Sequence, residues 1–354
     1  MHKSDLPVSV MSLLEEPAQS SWDLSAHRIA IPDAARPKLS SSTQPSDARA
    51  ANADAEEGGF FYIPNFITAD EEQYLIESIQ GAPKPKWKTL QKRRLQEWGG
   101  QVSAKNTLIP QTMPHFFARY PDLISRLKAT GAFDKARHGE PNHCLVNEYL
   151  PGQGIMPHED GSAYFPAVAT ISLASHTLLD IYRYVDEDLQ KDFDHRMEQF
   201  DRQSNGSDTQ SADGSDPQKS RIVPKERIEG DVKIVRGARA REPDPVFSIL
   251  QEPRSLLITT GSVYKDYLHG IAERTSDDAA KLAKVINTDM VQDAALRDTV
   301  KQAQNGDSQA ELTRDTRLSF TFRDVENVSK GAGAMLAFLS GGGGTGAGAS
   351  TSKR

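Results

Sequence analysis

His158 and Asp160 stand two apart in the run PHEDG, and His269 follows far downstream. Two imidazoles and one carboxylate can bind one face of Fe(II) and leave the opposite face for a co-substrate and dioxygen. In an extended chain, residues two apart point the same way, so His158 and Asp160 can share one ion while Glu159 faces away. Alone the pair is a weak signal, because a surface His and Asp at a turn explain it as well. His269 alone reads as a satisfied core histidine. Its position adds weight: it follows the apolar run SLLITT, where a returning strand would come to lie beside His158. His176 is the rival third ligand, but it sits between two strand runs and lacks that context. Catalytic zinc accepts the same three side chains with water in the fourth position, so the choice of metal depends on what lies beside them.

What lies beside them is RLSFTFR, residues 317–323. Arg317, Ser319, Thr321 and Arg323 share one strand face, and Leu318, Phe320 and Phe322 share the other. A half-exposed strand explains the alternation by itself. Next to a metal, one arginine can also grip a dicarboxylate as a planar two-bond fork, at about 1.5–3 kcal/mol per charge-assisted bond. Arg317 is the choice for the distal carboxylate of a 2-oxoacid, and this clamp decides for iron over zinc. Asn147 and Tyr149 in NEYLPGQG are again two apart, with an amide and a phenol to offer the same small acid. Pro151, Gly152 and Gly154 then turn the chain toward His158.

Short strands must carry these residues. GFFYIPNFI (59–67) opens the fold, and Thr68 with Glu71 has capping-box spacing ahead of a short amphipathic helix through Tyr74, Leu75 and Ile79 that ends near Gly81. A second helix is expected over Pro114 to Thr130. CLVNEYL, AVATISLAS and HTLLDIYRYV form the densest strand region, and PVFSIL, SLLITT and RLSFTFRDV complete the set. Between them, KPKWKTLQKRRLQEWGG combines Lys84, Lys86, Lys88, Lys92, Arg93 and Arg94 with Trp87 and Trp98, as a strand pair or exposed loop. A solvated charged face or a nuclear-import signal accounts for that stretch.

The remainder is polar. Residues 1–58 read as a disordered arm, about 186–244 and 276–312 as insertions (the first mostly disordered, the second helical), and 329–354 as a flexible Gly/Ala/Ser tail. What is left, within 59–328, is a core of roughly 200 residues, one domain's worth. Many short strands with helices on one side fit a mainly β double-sheet jelly roll with flanking helices. A net charge of -7 over 354 residues argues against wholesale nucleic-acid coating but not against a local basic patch. The single Cys144 forbids an intramolecular disulfide and a cysteine-built zinc site. No secretory h-region and no membrane-length apolar segment are visible, so a soluble intracellular protein is expected.

Asn147, Tyr149, His158, Asp160, His269, Arg317, Thr321 and Arg323 together resemble the AlkB family of Fe(II)- and 2-oxoglutarate-dependent dioxygenases. Ser319 stands where the family usually has Asn. The strings APKPKW, LQEWGG, NEYLPGQGIMPHEDG, TISLASHT, EPRSLL and LHGI are similar to the branch counted as the sixth AlkB homologue of eukaryotes. The resemblance implies a jelly roll with the site inside. In it His158, Asp160 and His269 would hold Fe(II), and Asn147, Tyr149, Arg317, Ser319 and Arg323 would surround 2-oxoglutarate, with dioxygen as the other co-substrate. It further points to oxidative demethylation of N-methylated bases in DNA or RNA, and a monomer in the nucleus and cytoplasm is expected. Lys84, Lys86, Trp87, Lys92, Arg93, Arg94 and Trp98 would form a lid that pairs phosphates and stacks an extruded base. The alternatives are oxidation of a protein side chain, or a silent nucleic-acid-binding module.

Overall fold

The computed structural model describes residues 22–36, 58–186, 188–192, 194–195, 226–229, 232–235 and 239–329. The expected flexible tail, from 330 on, lies outside them, as does 196–225 of the first insertion.

Eleven strands build two facing antiparallel sheets: β1 (Phe60–Ile63), β2 (Lys88–Leu90), β3 (Arg93–Trp98), β4 (His143–Tyr149), β5 (Ile155–His158), β6 (Tyr164–Leu173), β7 (Thr177–Arg183), β8 (Phe247–Gln251), β9 (Leu256–Thr260), β10 (Tyr267–Ile271) and β11 (Arg317–Val325). The major sheet runs β1-β9-β6-β11-β4-β3-β2 and the minor sheet β8-β7-β10-β5. This is the jelly roll expected from the strand pattern.

Period-two alternation decides what each face of the major sheet does. Leu318, Phe320 and Phe322 of β11, Cys144 and Val146 of β4, and Ala169 and Ile171 of β6 point to one side, into a core shared with the helices. Their neighbours Arg317, Ser319, Thr321, Asn147 and Thr170 point to the other, into a cavity between the sheets. Beside the cavity the sheets are sealed by Phe60, Tyr62, Phe247, Ile249, Leu257 and Tyr267.

Helix α1 (Ala69–Gln80) starts at the capping box the sequence announces, with Glu71 N–H on Thr68 Oγ1 at 3.2 Å and Thr68 N–H on Glu71 Oε2 at 2.9 Å, and Gly81 is its C-cap. The helix expected over 114–130 is broken in two, α2 (His115–Ala118) and α3 (Leu123–Ala129). Pro121 has no N–H to continue the ladder, and its ring excludes the preceding turn. The apolar side survives the break, since Phe116, Phe117, Leu123 and Leu127 all reach the core.

Two polar stretches are more structured than their composition implies. Residues 22–36, assigned above to a disordered arm, dock: Ile29 N–H donates to Phe60 O at 2.8 Å, Trp22 packs on Phe66 at 5.7 Å, and Tyr267 Oη donates to Ala35 O at 3.0 Å. Averaging over 58 residues hid the few apolar groups that bury there. Within the first insertion, Glu226–Glu229 pairs antiparallel with Val232–Val235. The second insertion carries α5 (Ala279–Leu282) and α6 (Ala294–Gln304), closed at its base by Ser276–Asp278 against Glu311–Thr313. Leu282, Val285, Val291 and Val300 pack on Leu178 and Leu250, so it covers the outside of the minor sheet.

Candidate active site

Strand β10 lies between β7 and β5, with His269 directly opposite His158. The imidazole centroids are 4.4 Å apart. Asp160 comes two residues after the end of β5 rather than within it, and the turn still brings it in: ligand atoms of His158, Asp160 and His269 all lie within 4.8 Å of one another. The approach depends on glycines. Gly152 adopts φ +83° in the turn after β4, and a Cβ on Gly154 would sit 2.2 Å from Ile271 O. His176, the rival ligand, lies outside the cluster, buried near Asp277 and Arg314.

Each candidate ligand is held in its ligating form. Met156 O accepts from His158 Nδ1 at 2.8 Å, which fixes the tautomer and leaves the Nε2 lone pair free. Burial pushes the His269 imidazolium down to about 4 and lowers His158 as well, so both rings are neutral at neutral pH. Burial opposes the Asp160 charge, but the Arg323 guanidinium paired with Oδ1, together with His269 and His158, keeps the carboxyl below its usual range. Asp160 Oδ2 is buried with no hydrogen-bond partner. An orphaned carboxylate oxygen is costly unless a cation meets it, and two neutral imidazoles beside it complete a donor set that suits Fe(II).

The cavity next to this cluster has a volume of about 350 Å³. Arg317, Ser319, Asn147 and Tyr149 line it, as do Thr321 and Arg323. In register Arg317 is opposite Tyr149 and Ser319 opposite Asn147, which aligns the two sequence motifs across adjacent strands. Arg317 is 4% exposed and donates to Ser172 Oγ at 2.8 Å and Gln251 Oε1 at 3.0 Å, while its Nε has no partner. Burial pulls its guanidinium down to about 10, so it is still a cation at neutral pH. Ser319, in place of the family's Asn, is buried on the cavity face. Arg323 lines the cavity too, with one guanidinium nitrogen paired to Asp160 Oδ1 and its Nε buried without a partner.

The basic stretch is a strand pair, β2 with β3, at the edge of the major sheet. Its cations are largely answered from within: Lys88 pairs with Glu97, Lys92 with Glu273 at 2.8 Å, and Arg94 makes a two-bond fork to Glu148 at 2.6 and 2.7 Å. Lys86 sits 4.0 Å over Trp98 and Arg94 4.1 Å over Trp87, and both indoles pack against the core. Trp87 and Trp98 are half-buried, each with a cation over its ring, and neither lines the cavity. Of the expected lid, Arg93 alone lines the cavity, donating through Nε to Asn147 Oδ1 at 3.1 Å; Lys84 lies exposed on the turn before β2.

Four residues escaped the sequence reading: Gln251, Ser172, Tyr164 and Tyr264. The available signal was a polar side chain closing the apolar run PVFSIL, and Ser172 interrupting another. Tyr264, on α4 (Gly261–Asp266), lines the cavity with a buried hydroxyl that has no partner.

The sequence pattern of the 2OG-Fe(II) oxygenase superfamily matches residues 59–323. The chain is 34% identical over 268 residues to a Danio rerio protein named "Probable RNA/DNA demethylase ALKBH6", a match that covers 76% of this chain and 86% of that one. It is 28% identical over 130 residues to an Arabidopsis thaliana protein named "Alkylated DNA repair protein ALKBH8 homolog", covering 36% of this chain and 37% of the relative. Among solved structures, OsALKBH1 aligns with a TM-score of 0.37 and 15% identity, over 76% of this chain and 99% of that one. With the His-Asp-His cluster and the buried arginine beside it, the match over most of the folded chain establishes that the protein belongs to the 2OG-Fe(II) oxygenase superfamily, as an AlkB-like dioxygenase that uses Fe(II), 2-oxoglutarate and dioxygen.

Proposed function

We propose that the protein removes N-methyl groups from bases of DNA or RNA by oxidation, with His158, Asp160 and His269 as the iron ligands. The observation that carries the site assignment is the convergence of these three side chains, within 4.8 Å of one another, beside a buried cation that has only neutral partners. The substrate assignment is supported by similarity to the Danio rerio protein over 86% of its length.

The iron, with 2-oxoglutarate and dioxygen, supplies a two-electron oxidation that places one oxygen atom in a substrate C–H bond and yields succinate and carbon dioxide. This chain's residues provide position and charge. Arg317 receives the distal carboxylate of 2-oxoglutarate, and Asn147 and Tyr149 border its path to the metal cluster. Arg323 holds Asp160 ionised and fixed in direction. Arg93 lines the same cavity and is the cation of the basic stretch placed to meet a polyanionic substrate. An N-hydroxymethyl product breaks its own C–N bond and releases formaldehyde, a collapse that needs no proton-transfer residue from the protein.

The test is incubation of the purified protein, Fe(II) and 2-oxoglutarate with methylated oligonucleotides, followed by mass spectrometry of the nucleosides. Loss of an N-methyl mark together with succinate, both absent in Asp160→Ala, is the expected result. Succinate formation stimulated only by peptide would move the substrate to a protein side chain, and no succinate under any condition would leave a binding module. We further propose that the protein works in the nucleus or cytoplasm and as a monomer; cell fractionation and light scattering check those two points.

A further inference from the structure

Four arginines are buried among the described residues, Arg183, Arg314, Arg317 and Arg323. Three have a carboxylate: Arg183 has Glu242, Arg314 has Asp277 on both oxygens at 2.7 Å, and Arg323 has Asp160. Arg317 has only neutral acceptors, Ser172 Oγ and Gln251 Oε1. Gln251 is 1% exposed, and its Oε1 also accepts from Ser172 Oγ at 2.9 Å. It closes β8 on the inward face shared with Phe247 and Ile249, whereas Arg317 and Ser172 belong to the major sheet. One amide oxygen thus reaches across the sandwich and fixes the direction of the guanidinium. Because it carries no charge, it does so without satisfying the cation.

We infer that Gln251 is the positioning residue that sets co-substrate specificity: it aims Arg317 into the cavity while keeping it free for a second carboxylate, so that 2-oxodicarboxylic acids are selected over 2-oxomonocarboxylic acids. This rests on the reading of Arg317 as receiver of the distal carboxylate. A glutamate at 251 would have the same reach and would fill the cation's vacancy from within the protein. An apolar residue would leave the cation free but unaimed. Ser172 contributes the other neutral acceptor and is itself oriented by Gln251.

The test is calorimetric binding to the Mn(II)-loaded protein, which reads affinity without turnover, with 2-oxoglutarate and with 2-oxopentanoate, the same chain lacking the distal carboxylate. Two charge-assisted bonds predict that the wild type favours 2-oxoglutarate by about 100-fold or more. In Gln251→Glu the ratio should fall to within about 3-fold, through loss of 2-oxoglutarate affinity alone. In Gln251→Met, 2-oxoglutarate should weaken about 10-fold while 2-oxopentanoate is unchanged. Mn(II) affinity should stay the same in both variants. A wild-type ratio kept in Gln251→Glu, or equal weakening of both acids in either variant, overturns the assignment of Gln251. A wild type that does not distinguish the acids overturns the Arg317 reading itself. Should Gln251→Glu not fold, the Met variant decides by the same criterion.

Discussion

At the residue scale the site is a set of side chains held in reactive ionisation states by their surroundings. Removing Asp160 takes away one ligand and leaves Arg323 buried without its counter-ion, so Asp160→Ala should abolish succinate formation and weaken Mn(II) binding at least about 10-fold, measured by titration. Two buried histidines, His143 and His269, titrate near 4 when folded because burial disfavours their charge. The unfolded chain takes up those protons near 6.5, so it binds more protons than the native state between about 6.5 and 4. Stability supplied by the neutral rings is therefore complete above about 6.5 and is lost as pH falls toward 4. Denaturant midpoints of the metal-free protein measured between pH 7 and 4.5 should decline, and a flat profile would contradict the burial described here.

At the scale of elements, β3 is a structural edge more than a nucleic-acid platform. Arg94→Ala would strand Glu148, which is 6% exposed, and should cost about 1–3 kcal/mol in urea unfolding. Arg93→Ala takes the donor from Asn147 Oδ1 and should cost less stability than Arg94→Ala, because Asn147 carries no charge, while it lowers turnover on oligonucleotides, because Arg93 is the one basic residue of that stretch that faces the cavity. The alternation in β4 and β11 is legible in sequence, since a single repeat of two separates core from cavity, and the capping box of α1 is equally local. Gln251 was not legible, because its meaning depends on a residue 66 positions away in the other sheet. The paired cations were hidden for the same reason: Glu148 and Glu273 are remote in sequence from the lysines and arginines they neutralise. Pro121 was visible, but apolar spacing on both sides of it outweighed the break it imposes.

At the scale of the whole molecule, the N-terminal stretch belongs to the fold. Residues 22–36 hydrogen-bond to β1 of the major sheet through Ile29 and to β10 and β7 of the minor sheet through Ala35, Ala34 and Arg36. Deleting the chain through Arg36 should lower the melting temperature by roughly 5–10 °C, as read by circular dichroism. The order of the major sheet has a consequence for how the chain is made. β11 carries Arg317 and Arg323 and is the last of the eleven strands in sequence, yet it sits in the middle of the sheet, between β6 and β4. Until β11 is made, β6 and β4 lack the strand that joins them, so the major sheet cannot close. The strand that brings Arg317 and Arg323 to the pocket is thus also the one that unites the two halves of the sheet, so the co-substrate clamp and the finished fold arrive together.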